Sequence, residues 1–247
     1  MKETIYTIPV TEALQENENG DCPFCIMYRK LNENSIEFVM GPSYMEDDVR
    51  METNKIGFCS RHLTEMYQRP NRLGLALMMH THLMQINKDL ASSMKKMGPA
   101  SKGILGIGKK QNTSINEACS YLKKLEHSCY ICNRVDNTFI RYIDTYFYLW
   151  GRDKDMKELT ANSSGFCLNH FYLLLETGEK KLSAGEFANF LEIITPIQEK
   201  SLKTLEDDLD WFIRKFDYRN VNEPWKNSKD ALIRALRKIS SVVVIDK

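Results

Sequence analysis

Eight residues carry the chemistry of this sequence. Cys22 and Cys25 stand in DCPFC, Cys59 and His62 in GFCSRH, Cys129 and Cys132 in SCYIC, and Cys167 and His170 in GFCLNH. The chain writes Cys-x2-Cys, a long gap and Cys-x2-His, and then writes that order again. From Cys25 to Cys59 is 34 positions, and from Cys132 to Cys167 is 35. Of the seven cysteines only Cys119 falls outside the scheme, so the pattern is not scatter. Three thiolates and one imidazole form the closed tetrahedral donor set of structural zinc sites. Two zinc ions are therefore expected, one per set. An iron–sulfur cluster is the alternative, because histidine can replace a thiolate there. The near-equal gaps make closure within each repeat the simpler pairing. A swap, in which one repeat's cysteine pair meets the other's Cys/His pair, stays open.

Each motif needs an element that aims it. Cys-x2-Cys puts one thiolate on a tight turn and the next at a helix start, where backbone N–H groups help to hold negative sulfur. Pro23 suits such a first turn. In Cys-x2-His, residues three apart on a helix face the same way. Gly57 and Gly165 permit a close turn just before it. Asn162, Ser163 and Ser164 are N-cap candidates for the second copy.

Recurrence at one fixed offset reads as an internal duplication. The expected fold is mainly α. It has two helical repeats, residues 1–97 and 117–247, joined by a Gly/Lys-rich loop over 98–116. Each repeat is organised around its own CxxC...CxxH site. Residues 71–97 carry apolar side chains on more than one face, so much of that helix is expected to be buried. Residues 136–150 are aromatic-rich. Propensity makes strand a competitor there, while length and context favour helix. A helix should run from GFCLNH to Gly178. A long one should start near Ser183, with Pro196 as a candidate kink. The last should be capped by Ser228. The closing VVVI is a candidate to pair with IYTIPV near the start as a small terminal sheet.

Composition narrows the function classes. The net charge is +1 and the pI about 7.6, which argues against a general nucleic-acid binder. The N-terminus lacks a basic-then-apolar signal pattern, and the longest apolar stretch, Leu73 to Met79, is too short for a membrane span. The expected location is therefore cytoplasmic, with no membrane association and with reduced thiols. Gly103 to Lys110 approaches a P-loop, but Lys110 takes the position of the Mg²⁺-binding hydroxyl and no strand precedes it. His80, His82 and Met84, beside Met78 and Met79, have a spacing more typical of core than of a soft-metal site. His127, two residues before Cys129, is read as a surface residue, with an alternative ligand or a partner of one as the competing role.

An iron–sulfur or other metal-dependent enzyme would need an open coordination position and an acid or base such as Glu52, Glu65 or Asp136. A thiol redox protein built on CPFC would need a strand before it, where the sequence has ENENGD. The preferred reading is a non-enzymatic, zinc-stabilised helical scaffold that binds an unidentified protein or small ligand.

With the eight positions and the ending FDYRNVNEPWKNSKDAL in view, the chain resembles an uncharacterised bacterial family, a domain of unknown function with paired CxxC and GFCxxH motifs. The likeness spans nearly the whole chain, and every motif position is filled. It implies a metal-binding helical protein and no particular activity.

Overall fold

The computed structural model describes residues 5–16, 20–95 and 113–241. Among them are eleven α-helices and no strand: α1 (Thr7–Gln15), α2 (Pro23–Met40), α3 (Asp47–Ile56), α4 (Ser60–Tyr67), α5 (Arg72–Lys95), α6 (Thr113–Glu126), α7 (Tyr130–Trp150), α8 (Lys154–Ala161), α9 (Leu168–Lys181), α10 (Ala184–Arg214) and α11 (Ala231–Ser240). They form two compact units, Met1–Lys30 with Thr138–Lys247, and Leu31–Asn137. The chain passes from one to the other inside α2 and α7, so the units do not follow the sequential division of 1–97 and 117–247. Among the described residues no helix is long and apolar enough to cross a membrane.

The unit containing both chain ends is built on aromatic packing. Phe24, Tyr146, Trp150, Phe166 and Phe190 are all fully buried. Phe24 meets Tyr146 edge-on at 5.2 Å, and Phe190 meets Trp150 at 4.8 Å. In α7 the buried Val135, Phe139, Ile143, Tyr146, Phe147 and Trp150 recur at steps of three and four. That helical period overrides the β-propensity of the individual residues.

Three local expectations for this unit need correction. IYTIPV is not a strand: a turn at Ile5 and Tyr6 leads into α1. Pro9 sits in the first turn, where its missing N–H costs nothing, and Val10, Ala13 and Leu14 bury one helical face. VVVI lies outside the described residues. Helix α9 does not stop at Gly178 but runs to Lys181. A Cβ there would meet Phe147 and Phe187 at 3.2 Å and Phe190 at 3.3 Å, so the glycine serves close helix packing, not termination. Helix α10 starts at the capping box of Ser183 and Glu186 and continues through Pro196 to Arg214. Helix α11 has Asp230 at its N-cap position, while Ser228 donates to the Trp225 carbonyl at 2.7 Å.

The other unit is a layer of α3, α4, α5 and α6, with α5 packed on each of the other three. Only Gly74, Leu75 and Met78 of α5 are buried, and Leu73, Leu77, Leu83, Met84 and Met94 are exposed, against the expectation of a largely buried helix. Of the expected loop over 98–116, residues 113–116 already belong to α6. The P-loop-like stretch lies outside the described residues.

Candidate metal centres

All four motifs are folded in the same way. Cys22 immediately precedes α2, Cys59 precedes α4, Cys129 precedes α7 and Cys167 precedes α9. The partner residue of each motif, Cys25, His62, Cys132 or His170, is the third residue of its helix. The three-residue spacing is therefore the step from N-cap to third helical position. It places two donors over the exposed N–H groups and positive dipole end of one helix. Cys167 Sγ accepts from the His170 N–H at 3.5 Å, and Cys129 Sγ from the Cys132 N–H at 3.4 Å. Because the first cysteine is itself the cap, Asn162, Ser163 and Ser164 are not needed in that role. The two glycines behave as their sequence position suggests: Gly57 has φ +69° and Gly165 φ +79°, a left-handed turn that carries the chain into each Cys-x2-His.

Two donor quartets result, one in each compact unit. Cys22, Cys25, Cys167 and His170 form one, and Cys59, His62, Cys129 and Cys132 the other. Within each, the donor atoms all lie within 4.8 Å of one another. The eight residues expected to ligate are all present, but closure within each repeat is overturned. Each cysteine pair meets the Cys/His pair of the other Cys-x2-Cys…Cys-x2-His segment, so neither segment holds a site of its own.

In the Cys22 quartet, His170 Nδ1 stands 3.6, 3.3 and 3.2 Å from the sulfurs of Cys22, Cys25 and Cys167. The Cys25 and Cys167 sulfurs are 3.5 Å apart. In the Cys59 quartet, His62 Nδ1 stands 3.3, 3.1 and 3.4 Å from Cys59, Cys129 and Cys132. Its Cys59 and Cys132 sulfurs are 3.9 Å apart. Sulfur at ~2.3 Å and nitrogen at ~2.0 Å from one tetrahedral ion place donors about 3.5–3.8 Å apart. The separations above, 3.1–3.9 Å, lie close to that range. Among the described residues, all seven cysteines are free thiols.

Charge in the quartets is strained without a cation. Hydrogen bonds to Cys167 and Cys22, followed by burial, push the Cys25 thiol far up, whereas hydrogen bonds from Cys22 and then Cys25 hold Cys167 far down. Burial works against a charge on His170, but hydrogen bonds to the Cys167 and Cys22 sulfurs outweigh it and raise the ring to about 9. In the other quartet, burial and then the Cys129 charge lift Cys132 to about 12. Burial also opposes ionisation of Cys59, yet the His62 amide, Cys129, Cys132 and Arg61 together bring it below its ordinary value. One thiol goes up and another down in each set, because three thiolates crowded together repel. A divalent cation at the centre would remove that conflict.

A family model described as a family of unknown function, DUF6062, matches residues 1–246. The chain belongs to this family. No curated protein and no solved structure matches it.

Around its donors, this DUF6062 chain places outer partners that the motifs do not announce. With Nδ1 turned to the sulfurs, His62 Nε2 donates to Asn32 Oδ1 at 2.7 Å. Asn32 is oriented in turn by donating to Glu65 Oε2 at 2.9 Å, and Arg61 Nη2 donates to Asn32 Oδ1 at 3.2 Å. Burial, then the Arg61 charge, lowers His62 to about 4, which keeps the ring neutral and able to ligate. Glu65, a candidate acid or base on sequence, thus anchors a ligand's support, and Glu52 is exposed on α3.

The Cys22 quartet is covered differently. Ser241 Oγ donates to Cys167 Sγ at 3.1 Å, and the buried Lys238 donates to the Ser164 carbonyl at 3.2 Å. Burial brings the Lys238 ammonium below its ordinary value, against the opposing charges of Cys22, Cys167 and Cys25. His170 packs against Phe24 and Phe139. Asn32, Lys238 and Ser241 had no sequence signal, since each lies far along the chain from the ligand it supports. His82 is bound to the Asn54 carbonyl at 2.7 Å, and His80 and His127 are exposed.

Proposed function

We propose that this protein is a helical scaffold stabilised by two structural zinc ions, one in each quartet, and that its role is to bind a partner protein or ligand. The observation that carries the reading is the pair of four-donor sets, each gathered within 4.8 Å. Four protein donors fill a tetrahedral ion and leave no position for substrate, which is the arrangement of structural and not catalytic zinc. The compactness of each set suits one ion better than a cluster, whose separate irons spread their ligands. Bound zinc neutralises the crowded thiolates, and as a structural ion it would contribute ~10 kcal/mol or more to folding at neutral pH.

The test is elemental analysis of protein purified without added metal, read beside its visible spectrum. Two zinc ions per colourless chain are expected. Iron with visible charge-transfer absorption would replace zinc by a cluster, and a chain that binds no metal under anaerobic, chelator-free conditions would overturn the reading. Thiol titration adds a second readout: the ligating cysteines should react slowly until a chelator is added, whereas the exposed Cys119 reacts at once.

A further inference from the structure

Helix α5 has two apolar faces, and among the described residues only one of them is packed. Gly74, Leu75 and Met78 are buried. On the opposite side Leu73, Leu77, His80, Met84, Asn87, Ala91 and Met94 are all exposed. Their spacing alternates four and three residues without a break. That is the 3.5-residue period of a coiled-coil seam, which a helix presents to another helix and not to solvent. No Asp, Glu, Lys or Arg stands at any of the seven positions. From Leu73 to Met94 the seam runs about 32 Å.

We infer that this seam is a homodimer interface in which α5 packs antiparallel against α5 of a second copy of the chain. The order of residues along the seam is self-complementary about a point between Leu83 and Met84. Leu73 then faces Met94 of the other copy, and Leu77 faces the small Ala91. The two polar positions, His80 and Asn87, face each other, so each meets a hydrogen-bonding group. Met84 lies beside its own equivalent near the twofold axis. An isologous interface requires this kind of layout, in which one patch serves both subunits.

The area is sufficient. Leu73, Leu77, Leu83, Met84 and Met94 are 67%, 38%, 56%, 59% and 62% exposed. With Leu83, which flanks the seam, that is roughly 500 Å² of surface per copy and about 1,000 Å² for a pair, the lower bound of a specific interface. An exposed apolar patch of this extent is itself the mark of an interaction surface.

The test is sedimentation of the full metal-bound chain over a dilution series. The expected mass is twice the 28.8 kDa of one chain. Leu77→Glu with Met84→Glu should give a monomer with unchanged helical circular dichroism, since both side chains are exposed in the single chain. In a Cys119→Ser background, Met84→Cys should cross-link to its own equivalent on oxidation, and Leu73→Cys should not. A wild-type chain that stays monomeric overturns the inference and leaves the seam to a different protein. A dimer that survives the glutamates, or one cross-linked through position 73 but not 84, overturns it as well.

Discussion

The pairing of motifs can be tested by counting metal ions in two quadruple variants. In the first, alanine replaces Cys22, Cys25, Cys167 and His170. In the second, it replaces Cys22, Cys25, Cys59 and His62. Each variant loses one Cys-x2-Cys and one Cys-x2-His, so they are matched in chemistry and differ only in which sites they damage. The first removes one quartet and leaves Cys59, His62, Cys129 and Cys132 complete within 4.8 Å. The second leaves two donors in each quartet, too few to hold an ion against a competing chelator. The expected metal content, relative to two in the parent, is one ion for the first variant and none for the second. Stability should follow. A structural ion contributes ~10 kcal/mol, which is comparable with the whole stability of a typical domain. The first variant should therefore keep a folded, protease-resistant Leu31–Asn137 unit, and the second should keep neither. Mass spectrometry under native conditions reads the ion count, and limited proteolysis reads the surviving unit. One ion in the second variant and none in the first would refute the cross-repeat arrangement, since closure within repeats predicts that reversal.

Asn32→Ala should weaken metal binding in the Cys59 quartet by about 10–100-fold, as loss of a ligand's hydrogen-bond partner generally does, and should leave the other quartet unchanged in chelator competition. In the folded chain, His62 stays neutral down to about 4 while the unfolded chain takes up its proton near the ordinary value of 6.5. Stability from this residue is then full above about 6.5 and falls as pH drops from there toward 4. Thermal unfolding of the metal-bound chain against pH should show that slope, and a flat profile between pH 6.5 and 4 would refute it. Gly178→Ala forces a methyl group against Phe147, Phe187 and Phe190 at 3.2–3.3 Å. It should cost about 1–3 kcal/mol in chemical denaturation, and an unchanged midpoint would show that these rings yield freely.

Most of the fold was legible because helical signals are local. The aromatic run of α7 declares its period in Val135, Phe139, Ile143 and Tyr146, and Ser183 with Glu186 spells the start of α10. Errors came where a residue's role depends on something distant. Gly178 reads as a helix stop until Phe187 and Phe190 are placed against it. Helix α5 reads as a buried element because its composition is apolar on two sides, and sequence does not say that among the described residues only one side is covered. The eight residues that gather into the two quartets were legible in the sequence, because the step from N-cap to third helical residue imposes the same spacing on all four motifs. Their supports were not, because Asn32 reaches His62 from 30 positions away and Ser241 reaches Cys167 from 74.

The pairing was the part that spacing misrepresented, and chain entropy shows why. Equal gaps of 34 and 35 residues make closure within repeats look economical, whereas the observed sets join Cys25 to Cys167 over 142 positions and Cys59 to Cys132 over 73. Loop-closure cost rises only with the logarithm of length, so the longer closures together cost about 2 kcal/mol more than the shorter ones. Each ion would contribute several times that, and burial of Phe24 against Tyr146 and Phe166 adds more. Gap length therefore carries little weight against packing. The same logarithm gives the long closure a structural consequence. Met1–Lys30 belongs to a unit whose remaining residues begin at Thr138. An ion held by Cys22, Cys25, Cys167 and His170 would restrict the unfolded chain more than one closing a short loop, and it would fasten that N-terminal segment to the helices it packs against.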